Sequence, residues 1–271
     1  MQWRIWVRAI TFVTLLVVLA LFTVSSDPVV AGHKNYELNP GSISVPILNY
    51  HMVSDLNIPL SLSAENFDQQ MKYIYDNGYT TITPDQLMAN MKYGKPLPEK
   101  PVMITFDDGY LDNYTTAYPI LKKYGQKAVF FLITANIGVD HRFMNWQQAR
   151  EMSDNGMIMQ SHTVNHVNLK KISTEAASQE LADSKRIIEE NLGRPVRYLA
   201  YPEGGVNKST AQLAKDAGYR GAFSVRFGEA SADSNFYAIE RIPIFGSSKT
   251  YRSFFLRLNA APVLERFGLI R

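Results

Sequence analysis

The sequence predicts a single α/β barrel domain, and three observations carry that expectation. Short apolar runs alternate with amphipathic helical patterns from residue 45 to about residue 244. Glycine or proline punctuates most of the joints between them. A chain of 271 residues, 46% hydrophobic and 20% charged, has enough apolar material for one large core. About eight strands alternating with helices imply a parallel sheet, and this length favours closing it into a ring. An open doubly wound sheet competes, but no glycine-rich phosphate loop stands at any strand-to-helix turn.

The chain begins with "MQWRIWVR", a short basic stretch, followed by "AITFVTLLVVLALFTV", which carries no charge. Small and polar residues follow in "SSDPVVAG". This is the layout of an export signal over residues 1–31, with Val29-Val30-Ala31 as a cleavage site. The apolar run falls short of the ~20 residues of a spanning helix. Trp3 and Trp6 extend it, so an uncleaved membrane anchor is the second reading. Either one puts the remainder outside the cytoplasm, secreted or held at the cell surface. Residues 32–44, "GHKNYELNPGSIS", lack apolar periodicity and read as a linker. Residues 45–271 form the domain.

Within it, "VPILNY" (45–50) is a strand, and "SAENFDQQMKYIYDNG" a helix with Phe67, Met71, Ile74 and Tyr75 on one face. Ser63 caps that helix and Gly78 stops it. "YTTI" is a short strand, and "TPDQLMANMKYG" a helix with proline in its first turn. "PVMITF" is a strand leading to a helix within 111–124, ended at Gly125. Next come strand "KAVFFLI" (127–133), helix 145–156, strand "MIMQSH" and a long helix over 173–192, closed by Gly193 with Pro195 beyond. "RYLAYP", "NKSTAQLAKDAG", "RGAFSV" and "YAIERIPI" read as strand, helix, strand, strand, and residues 249–259 as a closing helix.

Net charge is +3, and without residues 1–31 it is 26 basic against 24 acidic side chains, too even to direct the protein to nucleic acid. The absence of cysteine excludes disulfides and thiolate metal sites.

Catalytic groups of such a barrel sit where strands end and the following loops begin. Four features fall there: His51, the pair Asp107-Asp108, His162, and Tyr201-Pro202. Adjacent carboxylates repel and need a compensating charge. In "QSHTVNHVNL", His162 and His166 are four residues apart and converge if the segment turns helically. Two imidazoles and one carboxylate make a three-ligand site with positions open for water and substrate. A cation there neutralises Asp108 and keeps Asp107 ionised beside it. Read separately, the aspartates are turn and capping residues and His51 a core histidine. The capping reading does not explain two aspartates together with a histidine pair on a neighbouring strand end, which one ligand set of Asp108, His162 and His166 does.

"TFDDGY" with "LDNYTTAYPIL", then "SHTVNH", then "YLAYPEGG", resembles the polysaccharide deacetylases of carbohydrate esterase family 4 over roughly residues 45–245. The opening "VPILNYHMV" resembles the branch of exported poly-N-acetylglucosamine deacetylases. The resemblance implies a distorted (β/α) barrel, Asp107 as catalytic base, and Asp108, His162 and His166 as metal ligands. It implies His51 as general acid, and no histidine follows His166 to serve instead. Tyr201, Pro202, Glu203 and Gly204 correspond to the substrate loop, with the Glu203 N–H directed to the oxyanion. Two departures stand out. Ala200 occupies the place of an arginine that steers the base in many members, so either another group orients Asp107, with Arg241 of "IERIPI" one candidate, or none does. Glu203 occupies the place of an aromatic.

The function expected is therefore metal-dependent hydrolysis of N-acetyl groups from N-acetylglucosamine residues of a biofilm or cell-wall polysaccharide. Zinc suits the ligand set, and cobalt, nickel or iron also fit it. A monomer is expected, without nucleic-acid partners. The competing readings are an inactive glycan-binding surface protein and a cyclic amide hydrolase on the same barrel.

Overall fold

The computed structural model describes residues 44–246, 254–255 and 258–259. The expected signal or anchor (1–31), nearly all of the linker, and most of the closing helix lie outside these residues. Of that helix, only 254–255 and 258–259 are described, and they are helical. Among the described residues no helix is long and apolar enough to cross a membrane.

Seven parallel strands close a ring. In ring order they are β1 (Ile47–Tyr50), β10 (Ile239–Pro243), β9 (Gly221–Phe227), β8 (Tyr198–Ala200), β7 (Ile158–Ser161), β6 (Val129–Leu132) and β5 (Pro101–Phe106). Pairing of Ile47 through Tyr50 with Met103 through Phe106 completes the closure. Of the eight strands expected, "YTTI" is the one left outside. Its two-residue β4 (Thr80–Thr81) pairs only with Pro101 and Val102 at the start of β5. Two-residue strands β2 (Met52–Val53) and β3 (Ser61–Leu62) pair with each other beside the ring.

The helices are α1 (Ala64–Asp76), α2 (Pro84–Tyr93), α3 (Tyr118–Lys123), α4 (Trp146–Asp154), α5 (Thr174–Leu192) and α6 (Lys208–Asp216). Their starts follow from capping chemistry. Ser63, Thr83, Asn145, Ser173 and Asn207 each accept a backbone N–H of the first turn. Gly94 and Gly193 end α2 and α5 in the left-handed conformation. The helix expected within 111–124 is present as one continuous stretch over residues 111–123, with a π-helical segment over Asn113–Ala117 inside it.

Alternation along the strands separates two cores. Leu48, Tyr50, Ile104, Phe106, Phe130, Leu132 and Leu199 join the helices in an outer layer. Tyr50, Phe106 and Phe130 stack there, with ring centroids 5.4 and 4.8 Å apart. Ile47, Met103, Val129, Phe131, Tyr198, Ala200, Phe223 and Ile239 form the second core. Phe131 on β6 meets Phe223 on β9 at 5.4 Å across two intervening strands, so this core fills the barrel lumen. Ile82 and, from α2, Leu87, Met88 and Met91 belong to the same cluster and plug the N-terminal end of the barrel. The C-terminal end is left for polar groups.

Candidate active site

Asp107 continues the inward alternation of Met103 and Thr105 one step beyond β5. Its N–H donates to Tyr50 O at 3.0 Å. Both of its carboxylate oxygens receive the Arg241 guanidinium, at 2.8 Å each. Arg241 comes from β10 and is wholly enclosed. Its Nε donates to Ser224 O at 2.9 Å, and one terminal nitrogen reaches Thr105 Oγ1 at 3.3 Å. The charge lost at Ala200 thus enters the lumen from another strand. Burial pushes the Asp107 carboxyl up, but the charges of Arg241 and His162 and the paired hydrogen bonds outweigh it. The net result holds Asp107 well below the usual carboxylate range.

Asp108 turns away because its backbone flips to the left-handed region, φ +77°. Gly109 follows at φ +86°, where a Cβ would sit 2.9 Å from Leu132 Cδ2. That close approach explains the glycine after the two aspartates. Burial, with a smaller contribution from the neighbouring Asp107 charge, pushes the Asp108 carboxyl up to about 6.

His162, next after β7, is fully buried. Its Nδ1 lies 2.7 Å from Ala200 O, so the N–H sits there and the bare Nε2 faces Asp108. Burial lowers its pKa to about 4. His166 does not arrive by a helical turn, as its spacing suggested. Thr163 (φ +65°) and His166 (φ +55°) both take left-handed conformations in an irregular loop. The His166 N–H donates to Thr163 Oγ1 at 3.1 Å, and Glu180 of α5 accepts the N–H groups of Val164 and Asn165 at 2.8 and 2.9 Å.

His162 Nε2 and His166 Nε2 each stand 3.4 Å from Asp108 Oδ1. One ligand atom from each of the three residues lies within 4.8 Å of the others. Asp108 Oδ1 is buried and has no hydrogen-bond partner. One carboxylate oxygen and two imidazole nitrogens converging in this way are a donor set that fits a divalent cation. Asp108, His162 and His166 would hold it.

His51 links β1 to β2 beside this cluster, and its charge acts on both Asp107 and Asp108. The loop after β8 contains Glu203 at φ +54° and Gly204 at φ +66°. Tyr201 at its base is fully enclosed, so its ring is no platform for a sugar. The Glu203 carboxylate accepts Asn168 Nδ2 at 2.9 Å and Lys171 Nζ at 3.1 Å, and its charge also acts on His166. Those two bonds hold its pKa below the ordinary value. The sequence reading misses Glu180, Thr105 and the Ala200 carbonyl. None of them carries a local signal, since each acts across a long stretch of chain.

A parallel barrel carries an Asp-His-His cluster that could hold a metal ion and, beside it, a separate arginine-paired aspartate at its C-terminal mouth, the donor and base groups that hydrolysis can use. Comparison with known proteins agrees. The polysaccharide deacetylase family model matches residues 94–222. The Bacillus subtilis protein YxkH, assigned to the polysaccharide deacetylases, is 38% identical over 200 residues, covering 74% of this chain and 71% of its own length. A Staphylococcus aureus poly-beta-1,6-N-acetyl-D-glucosamine N-deacetylase is 28% identical over 225 residues, covering 73% and 77%. The structure of Streptococcus pyogenes deacetylase PplD in complex with acetate superposes with a TM-score of 0.76 at 31% identity, covering 80% of this chain and 99% of that one. IcaB from Ammonifex degensii gives a TM-score of 0.71 at 26% identity, covering 79% and 97%. The chain belongs to the polysaccharide deacetylase family, whose members are hydrolases.

Proposed function

We propose that this protein removes acetyl groups from N-acetylglucosamine residues of an extracellular polysaccharide, in a metal-dependent hydrolysis that releases acetate. The export-type N-terminus supports action outside the cytoplasm, at the cell surface or beyond. Similarity to a poly-N-acetylglucosamine deacetylase supports a β-1,6-linked glucosamine polymer as the substrate to test first. The observation that carries the reading is the pairing of a bare, buried Asp108 oxygen between two imidazoles with a separately anchored Asp107.

The chemistry a divalent cation supplies at such a triad is polarisation of a carbonyl oxygen and acidification of water. Zinc suits one carboxylate and two imidazole nitrogens, and cobalt, nickel or iron fit the same donors. Asp107 takes the proton of the water that attacks the acetyl carbon. Arg241 keeps that carboxylate ionised and fixes its direction, so that it acts as base rather than as a fourth ligand. The Glu203 N–H donates to the developing oxyanion. His51 delivers a proton to the departing nitrogen, because an amide nitrogen leaves poorly unless protonated.

The test is Asp107→Asn. It should retain the bound metal and lose acetate release by ~10³-fold or more on a glucosamine oligomer. Near-wild-type deacetylation by that variant would remove the base assignment.

A further inference from the structure

We propose that Asn113, on the π-turn after "TFDDGY", is a positioning residue that aims His51 at the leaving nitrogen. The inference rests on His51 as the proton donor. His51 is a single-residue joint: β1 ends at Tyr50 and β2 starts at Met52. Its neighbours are tied elsewhere, Tyr50 O to the Asp107 N–H and the Met52 N–H to Leu60 O. The His51 ring has no such tie, since its buried Nδ1 has no hydrogen-bond partner. What holds the residue is its backbone carbonyl, which accepts Asn113 Nδ2 at 2.7 Å.

Asn113 is fully buried, and the same Nδ2 donates to Asp112 Oδ1 at 2.9 Å. Both partners are acceptors, so the amide orientation is set by chemistry. That orientation leaves Asn113 Oδ1 buried with no partner. Asp112 extends the grip, accepting the Val53 N–H and the Ser54 hydroxyl on the segment that follows His51. Asn113 opens the π-turn, and such turns recur at functional sites because the extra residue redirects a side chain.

A misaimed acid harms only reactions that need one. The acetamide nitrogen requires a proton to leave, whereas the nitrophenolate of 4-nitrophenyl acetate leaves without one. The experiment compares Asn113→Leu, which keeps the shape and removes the donor, with His51→Ala, both metal-loaded. Each is assayed on an N-acetylglucosamine oligomer and on 4-nitrophenyl acetate. The ratio of the two rates comes from the same folded molecules, so partial misfolding cancels. Asn113→Leu should lose ~10-fold or more of kcat on the oligomer and under ~2-fold on the ester, and His51→Ala ~100-fold or more against the same small ester effect. If His51→Ala is selective and Asn113→Leu lowers both rates equally or neither, the positioning role is overturned and the acid stands. If His51→Ala itself lowers both equally, the acid assignment falls and this inference falls with it.

Discussion

Replacing Arg241 by methionine isolates the electrostatic hinge of the site. The wild-type pair is enclosed, with side chains 0% and 2% exposed, and joined by two 2.8 Å bonds. Without the guanidinium, burial raises the Asp107 pKa with only the histidine charges left to oppose it. Removing one partner of a buried pair costs about 3–5 kcal/mol, since an uncompensated charge stays behind. In a domain of this size that is a fall of ~6–20 °C in Tm. Asp107→Asn added to Arg241→Met discharges the stranded carboxylate, so the double variant should be more stable than additivity allows by about 1–3 kcal/mol.

The pH dependence has a definite sign. In the wild type the Asp107 pKa lies below its unfolded value. Its contribution is therefore present above the ordinary carboxylate range and lost only in strong acid. In Arg241→Met the carboxyl pKa lies above its unfolded value, so the deficit should be largest near neutral pH and shrink on acidification. Denaturant titrations of the three variants at pH 5 and 7.5 measure all of this. A loss below ~1 kcal/mol for the single variant, or strict additivity in the double, would refute the buried-pair argument.

Three further outcomes follow from the geometry. Asp108, pushed up to about 6 by burial, must shed a proton to bind a cation, whereas His162, lowered to about 4, is already neutral. Zinc affinity by competition titration should fall at least ~10-fold per pH unit below about pH 6, more steeply where His166 also protonates, and level off above that range. Gly204→Ala should displace the substrate loop, because its Cβ would collide with Val225 Cγ2 and φ is +66°. A ~10-fold loss of kcat/KM is expected, partly restored when Val225→Ala is added, and absence of restoration would leave backbone strain as the sole cause. Phe106→Ala opens the stack between Tyr50 and Phe130 and should cost ~3–5 kcal/mol in a denaturant melt while metal binding persists.

Much of the site is legible in the sequence because its groups cluster at strand ends, where apolar runs stop at Asp107, His162 and Tyr201. Parallel alternation makes that reading local: Met103, Thr105 and Asp107 share a face by period two. Partners across the lumen are not local. Arg241 is reachable as a candidate only through the arginine missing at Ala200; its own surroundings, an apolar strand, do not mark it as the mate of a carboxylate 134 positions earlier. The number of ring strands is equally non-local. "YTTI" has strand composition, but its two paired residues cover only the first two of β5. The convergence of His162 and His166 was legible from spacing, while its cause, two left-handed residues and the Glu180 anchor, was not. The turn holding Glu203 puts its carboxylate against Asn168 and Lys171, a contact that only the folded loops create.

The most direct test of the whole account is acetate release from a β-1,6-linked N-acetylglucosamine oligomer by purified, chelated and zinc-restored protein, with metal content measured in each sample. The account predicts about one ion per chain, loss of turnover on chelation and recovery on restoring zinc. Undiminished acetate release by metal-free protein, or none from protein shown to carry the ion, would contradict it.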